Sequence, residues 1–291
     1  GGSVKDRPAL QIIKDAIKKK QVEKGGTIVE GTAGNTGIGL CLVGNSIGLN
    51  SIIVMPRTQS NEKKKMLKLC GAKLKLVDAL PYKNPGNYIR YSETLAKSIV
   101  NEHGVLWANQ FDNLSNKKSH YLTTGPEIYI QLSQKIDAFI CSIGTGGTIS
   151  VVSEFLKEKN KNIIIGLADP TGSAMHNFYK NGKLKSTGSS ITEGIGQGRI
   201  TKNLENAVID ESFQITDTEA LDIVYEMVRK EGLILGGSSG VNIMGAVKLG
   251  KLIGPNKKIV TILCDYGTKY ESKIFNKKFL KDKELPIPDW L

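Results

Sequence analysis

Short β-branched runs alternate with stretches of helical periodicity along the whole chain. TIVE (27–30) leads through a glycine-rich turn into the apolar run IGLCLVGNSIG. SIIVM (51–55) precedes SNEKKKMLKLCGA, in which Met66, Leu67 and Cys70 recur at helical spacing. KLKLV (73–77), VLWA (105–108), AFICSI (138–143), NIIIGLAD (162–169), LIL (233–235) and KIVTIL (258–263) complete the predicted strands. Near the start, Leu10, Ile12, Ile13, Ala16 and Ile17 mark one face of a helix. Strand, helix, strand in repetition requires crossover connections, so the fold class is α/β with mostly parallel sheet. In such sheets ligands bind beyond the carboxyl ends of the strands. Three glycine clusters stand there: GTAGNTG (31–37), GTGGT (144–148) and GGSSG (236–240).

Composition narrows the class. The chain has 291 residues, 40% hydrophobic and 23% charged, with 32 glycines and 9 prolines. This excludes collagen, low complexity and disorder, and leaves ample length for a buried core. No apolar run approaches the ~20 residues of a membrane-spanning helix, and no signal-peptide pattern opens the chain. The expectation is a soluble, cytoplasmic protein with no membrane role. The net charge of +12 invites a nucleic-acid reading. Only Arg7, Arg57, Arg90, Arg199 and Arg229 are arginines, however, and the many lysines are scattered. Bidentate phosphate and base recognition favours arginine, so no nucleic-acid partner is expected.

Cys41, Cys70, Cys141 and Cys264 are far apart, in apolar contexts that read as reduced core positions, and no metal site is expected. His103, His120 and His176 are equally dispersed and read as surface or structural.

GTGGT follows a strand and opens the helix TISVVSEFLKEK, an arrangement suited to an anion at a helix N-terminus. It is not a P-loop, since GK[ST] is absent. A dinucleotide reading would use Asp169, at the end of the next strand, but the spacing is GxGG and Pro170 follows. A tight β-α turn with no ligand is the plain alternative. In GTAGNTG, Thr32, Gly34, Asn35 and Thr36 offer hydroxyl, amide and backbone donors to a small carboxylate; the plain alternative is a helix cap. Lys5 follows a flexible Gly-Gly-Ser at a helix start, a possible Schiff-base position among many surface lysines.

Taken in order, GGSVKDR, EGTAGNTGIGL, WANQFDN, GTGGT, SSITEGIGQGRI, GGSSG and TILCDYGTKY resemble the cysteine synthase (O-acetylserine sulfhydrylase) family from one end of the chain to the other. These are fold-type-II enzymes dependent on pyridoxal 5'-phosphate. The resemblance implies two domains, each a mostly parallel twisted sheet flanked by helices. Residues 1–113 would form the smaller, with the Schiff-base lysine and the carboxylate loop. Residues 114–291 would form the larger, with the phosphate loop and a serine facing the pyridine nitrogen. It further implies that Lys5 binds the cofactor and removes the substrate Cα proton. Gly144, Thr145, Gly146, Gly147 and Thr148 would hold the cofactor phosphate, Asn35 its ring hydroxyl and Ser238 its ring nitrogen. Thr32, Ala33, Gly34, Thr36 and Gln110 would hold the substrate carboxylate, and Gly194 would line the mouth of the site.

The implied reaction is formation of L-cysteine from O-acetyl-L-serine and sulfide through an α-aminoacrylate, in a cytoplasmic homodimer with serine acetyltransferase as a possible partner. The alternatives are cystathionine β-synthase-like condensation, serine/threonine dehydration, a nucleotide-binding module, and a silent partner of serine acetyltransferase. Two departures stand out. Ala33 occupies a position where many relatives carry Ser, and the chain opens inside the lysine motif, before which relatives carry further residues.

Overall fold

A computed structural model describes residues 1–291. The chain forms two units, Gly1–Ser119 and His120–Leu291. From sequence the division was expected after Asn113.

In the first unit α1 (Asp6–Lys18) leads to β1 (Thr27–Gly31), α2 (Asn35–Ser46), β2 (Asn50–Pro56), α3 (Asn61–Leu69), β3 (Lys73–Val77), α4 (Tyr88–Ser98) and β4 (Val105–Trp107). The sheet order is β3-β2-β1-β4, and every pairing is parallel. Helix α1 is amphipathic by spacing: Ala9, Ile12, Ile13 and Ala16 are buried and pack with Ile28, Leu40 and Leu106. Asp6 in its first turn and Lys18 in its last complement the helix dipole. A second cluster joins Ile38, Cys41, Ile53, Met55 and Leu67 between α2, β2 and α3. Strand β1 is buried at all five positions, as a central parallel strand covered on both faces requires. Helix α5 (Ser115–Leu122) runs across the division between the units.

The second unit continues with α6 (Thr124–Gln131), β5 (Ala138–Cys141), α7 (Gly147–Lys159), β6 (Ile164–Pro170) and α8 (Met175–Asn181). It ends with β7 (Glu211–Ile215), α9 (Asp217–Glu231), α10 (Gly237–Ile253), β8 (Ile259–Thr261) and α11 (Lys277–Asp282). Its sheet order is β7-β6-β5-β8, again parallel throughout. Phe139, Cys141, Ile149, Val152, Ile165 and Leu167 fill one face. Ala138, Ile140, Ala168, Val241 and Leu249 fill the other, beneath α10. Helix α9 starts from a capping box in which Thr216 and Glu219 satisfy each other's backbone N–H groups.

The expected α/β architecture of parallel sheets flanked by helices is therefore present, with two differences in detail. LIL (233–235) is not a strand. Leu233 and Ile234 are exposed, and only Leu235 makes an isolated antiparallel bridge, to Tyr266. Strand β7, ESFQI, was not foreseen. No helix is long and apolar enough to cross a membrane.

Candidate active site

The two glycine-rich loops of interest lie at equivalent places in their units, each after a central strand and at the start of the next helix. In the first unit, β1 ends at Gly31 and α2 begins at Asn35. The cap residue Gly34 has φ 132° and ψ −62°, a conformation that side chains rarely adopt. Its Cα also faces Lys63 of α3: a Cβ there would meet Lys63 Cδ at 2.7 Å. Lys63 is only 2% exposed and is one of the largest fully buried side chains in the molecule. Behind the turn, the Thr32 hydroxyl accepts from the Gly34 N–H at 3.1 Å. Thr36 is buried and donates its hydroxyl to Gln110 Oε1. Ala33 and Asn35 are half-buried. Thr32, Gly34, Thr36 and Gln110 therefore belong to one hydrogen-bonded and packed group, and Ala33 and Asn35 lie within its loop.

Gln110 follows β4 and is 4% exposed. Its backbone carbonyl accepts from Asn116 Nδ2 at 2.7 Å, and its Nε2 donates to the Gly31 carbonyl at 3.4 Å. Glu30, at the end of β1, is fully buried close to the Asn109–Gln110 segment. Burial pushes its carboxyl up to about 8, against the opposing effect of the neighbouring Asn109 and Gln110 N–H groups. Lys5 stands at the cap position of α1, its N–H donating to Ser3 Oγ at 3.2 Å, so the helix start read from sequence is where it was expected.

In the second unit β5 delivers the chain to GTGGT, and α7 begins at Gly147. Its cap, Gly146, is left-handed (φ 86°) and offers no side chain. No side chain of the cap residue satisfies the N–H groups of the first turn, and the Gly147 N–H makes a long 3.4 Å contact with Thr145 Oγ1. A Cβ at Gly146 would lie 2.8 Å from that of Leu204, so the close-fitting loop is closed on its far side by protein. Thr201 Oγ1 donates to the Thr145 carbonyl at 2.7 Å and fixes the loop from beneath. Thr148 Oγ1 lies 3.2 Å from His120 Nε2, and His120 Nδ1 lies 2.9 Å from Thr124 Oγ1. His120 is thus buried, where the sequence had suggested a surface or structural position. Ser238, 5% exposed, sits in the first turn of α10 beyond its cap Gly236. Gly194 is exposed, with φ 82°, and its carbonyl oxygen closes against Gly144.

Other residues considered from sequence lie as follows. Asp169 is fully buried and accepts from the His176 N–H at 2.7 Å, holding the turn into α8; it is not presented to a ribose. Cys41, Cys70 and Cys141 are buried thiols, whereas Cys264 is only half-buried beside Asn242 and Ser239. No cluster of three or more His, Cys, Asp or Glu side chains could hold a metal. Glu30 and Lys63 were not singled out from sequence. The available signal was a carboxylate inside an otherwise apolar strand and a lysine at the apolar spacing of α3.

The donor set fits the cofactor implied by the resemblance. A capless helix start with converging N–H groups and threonine hydroxyls receives a phosphate dianion. A buried serine hydroxyl at a second helix start can meet a ring nitrogen.

The comparisons agree. The family described as "Pyridoxal-phosphate dependent enzyme" matches residues 1–265. Cysteine synthase 1 of Neurospora crassa is 44% identical over 298 residues, covering 100% of this chain and 78% of the relative. The cysteine synthase of Staphylococcus aureus is 37% identical, covering 94% and 84%. Among solved structures, the O-acetylserine-dependent cystathionine β-synthase of Helicobacter pylori has a TM-score of 0.85 at 32% identity, covering 93% of this chain and 85% of that one. O-ureido-L-serine synthase has a TM-score of 0.85 at 29% identity, covering 95% and 84%. A chain with this fold, these two loops and relatives this similar along its length belongs to the pyridoxal-phosphate-dependent enzymes, in the cysteine synthase branch of that family.

Proposed function

We propose that this chain catalyses a β-replacement that makes L-cysteine from O-acetyl-L-serine and sulfide, releasing acetate. The observation that carries the reading is the intact trio of Lys5 at the start of α1, the GTAGNTG turn into α2 and the GTGGT turn into α7. They stand in a chain whose similarity to cysteine synthases runs end to end.

Bound pyridoxal phosphate supplies the electron sink that makes the substrate Cα proton acidic and lets the bond from Cβ to acetate break. The protein's own residues do the rest. The first-turn N–H groups of α7, with Thr145 and Thr148, would hold the phosphate, and Asn35 and Ser238 would fix the ring. Ser238 offers a neutral hydroxyl to the ring nitrogen, not a charge, which suits loss of a good leaving group over more demanding carbanion chemistry. Thr32, Gly34, Thr36 and Gln110 would bind the amino-acid carboxylate, and Ala33 contributes backbone only. Lys5 Nζ would take the Cα proton, and Gly194 would border the entrance.

Two assignments lie outside the chemistry. We read the working form as a homodimer able to bind serine acetyltransferase, and its place as the cytoplasm, in keeping with four cysteines that form no disulfide. Light scattering with and without serine acetyltransferase tests the first.

A second reading is favoured by the cystathionine β-synthase neighbour: the same first half-reaction with homocysteine as nucleophile. Absorbance of the purified protein tests both. The visible band of the lysine-bound cofactor should shift to longer wavelength with O-acetylserine and return when sulfide is added. Return only with homocysteine would favour the second reading, and no visible band after incubation with the cofactor would overturn both.

A further inference from the structure

Strands β5 and β8 run side by side only as far as Ile140. Their parallel register pairs Ala138 with Ile259, Phe139 with Val260 and Ile140 with Thr261, and the Ala138 N–H donates to the Lys258 carbonyl. In a parallel ladder, alternate residues of a strand bond to the same neighbour. Carried two residues further, this register would send the Ser142 N–H to the Ile262 carbonyl. A side chain of α10 stands between them instead. The Ser142 N–H donates to Asn242 Oδ1 at 2.7 Å, and Asn242 Nδ2 donates to the Ile262 carbonyl at 2.7 Å. The Cys264 N–H, which the same register would aim at the Ser142 carbonyl, donates to Ser239 Oγ at 2.8 Å.

A carboxamide carries an acceptor and a donor side by side, so it can enter a backbone hydrogen bond and satisfy both of its ends. The carboxyl ends of β5 and β8 are therefore held apart by the width of one amide, with no polar backbone group left unpaired at that rung. This is also where such sheets receive their ligands. From Ser142 the chain runs through Ile143 into GTGGT, and Asn242 lies one helical turn beyond Ser238 on the same face of α10. Asn242 is fully buried and offers no surface to a ligand itself.

We propose that Asn242 is a positioning residue for the cofactor: as a wedge between β5 and β8 it sets the separation of the GTGGT loop from Ser238. The inference rests on the reading that GTGGT holds the phosphate and Ser238 the ring nitrogen. Asn242 acts only through the two segments it joins.

The test uses the full chain stripped of cofactor. It is titrated with pyridoxal phosphate, which needs both segments, and with inorganic phosphate, which needs the loop alone. Asn242→Ala removes the wedge and lets the Ser142 N–H close onto the Ile262 carbonyl. The dissociation constant for pyridoxal phosphate should rise about tenfold, and that for inorganic phosphate should change less than about twofold. Ser239→Ala frees only the Cys264 N–H and should raise the first constant about threefold with the second unmoved; it carries the test should Asn242→Ala fail to fold. Parallel losses for the two ligands, as a general loosening of the fold would give, or no loss for either, would overturn the wedge. Failure of the underlying reading looks different: Ser238→Ala would bind pyridoxal phosphate as tightly as the unaltered chain, or inorganic phosphate would not compete with it, and the proposal would fall with either.

Discussion

The carbonyl oxygen of Gly194 occupies the space where a side chain at Gly144 would begin. The first glycine of GTGGT and the exposed turn of the SSITEGIGQG segment thus pack closely at backbone level, and beside them the Gly196 N–H donates to the Ile143 carbonyl at 2.9 Å. Fifty residues of chain separate the two glycines.

Gly144→Ala should therefore act on both segments. The added methyl overlaps backbone rather than a flexible side-chain tip, so relief requires moving the 193–198 turn. The expected stability loss is about 1–3 kcal/mol. Affinity for pyridoxal phosphate should fall together with that stability. Thermal melting with and without cofactor reads both; an unchanged melting temperature would show that the contact is easily relieved.

Lys63 and Gly34 offer a separation of packing from charge. Lys63→Ala leaves a void behind the GTAGNTG turn and should cost about 2–4 kcal/mol, as other large-to-small core changes do. Lys63→Met retains most of the volume and should recover most of that loss. Melting of the two variants side by side is the measurement. Equal destabilisation would mean that the ammonium group, and not the stem, secures the turn.

Much of this was legible in the sequence because the signals were local. The central strands are short apolar runs buried on both faces, and a strand followed by glycines and a helix pattern marks a binding loop whatever the ligand. The failures have equally local causes. Strand β7 reads ESFQI, with one charged and two polar residues among five, because it lies at the sheet edge and only Ile215 is fully buried. LIL has strand composition, but its residues lead into α10 and pair at one point only. Glu30 was invisible for another reason. Nothing in TIVE says that its carboxylate will meet Asn109 and Gln110, about eighty residues later, because β4 pairs beside β1 only in the folded sheet.

Lys5→Ala should abolish the visible absorbance of lysine-bound cofactor while leaving the α1 core intact, since Ala9, Ile12 and Ile13 make that core and Lys5 only precedes it. Absorbance and far-UV circular dichroism on the same sample check the two halves. A retained visible band would move the covalent role to another lysine.

Stability should fall as the pH rises, and two buried acids set the range. Burial holds Glu30 up to about 8, against 4.5 for an ordinary glutamate, and Asp169 up to about 6, against 3.8. In each case the folded chain keeps a proton that the unfolded chain has already lost. The stabilisation is full below the unfolded value and is lost as the pH climbs to the folded one. Asp169 acts between pH 3.8 and about 6, and Glu30 between pH 4.5 and about 8. The Glu30 contribution is of the order of a few kcal/mol across its range. Urea unfolding at a series of pH values measures it. The wild-type protein should lose stability between about pH 6 and 8, Glu30→Gln should flatten that arm, and Asp169→Asn should make the decline below about pH 6 shallower without removing it, because Glu30 already acts there. A Glu30→Gln profile parallel to wild type between pH 6 and 8 would mean that Glu30 is ionised in the folded protein, with a cation close enough to offset its burial.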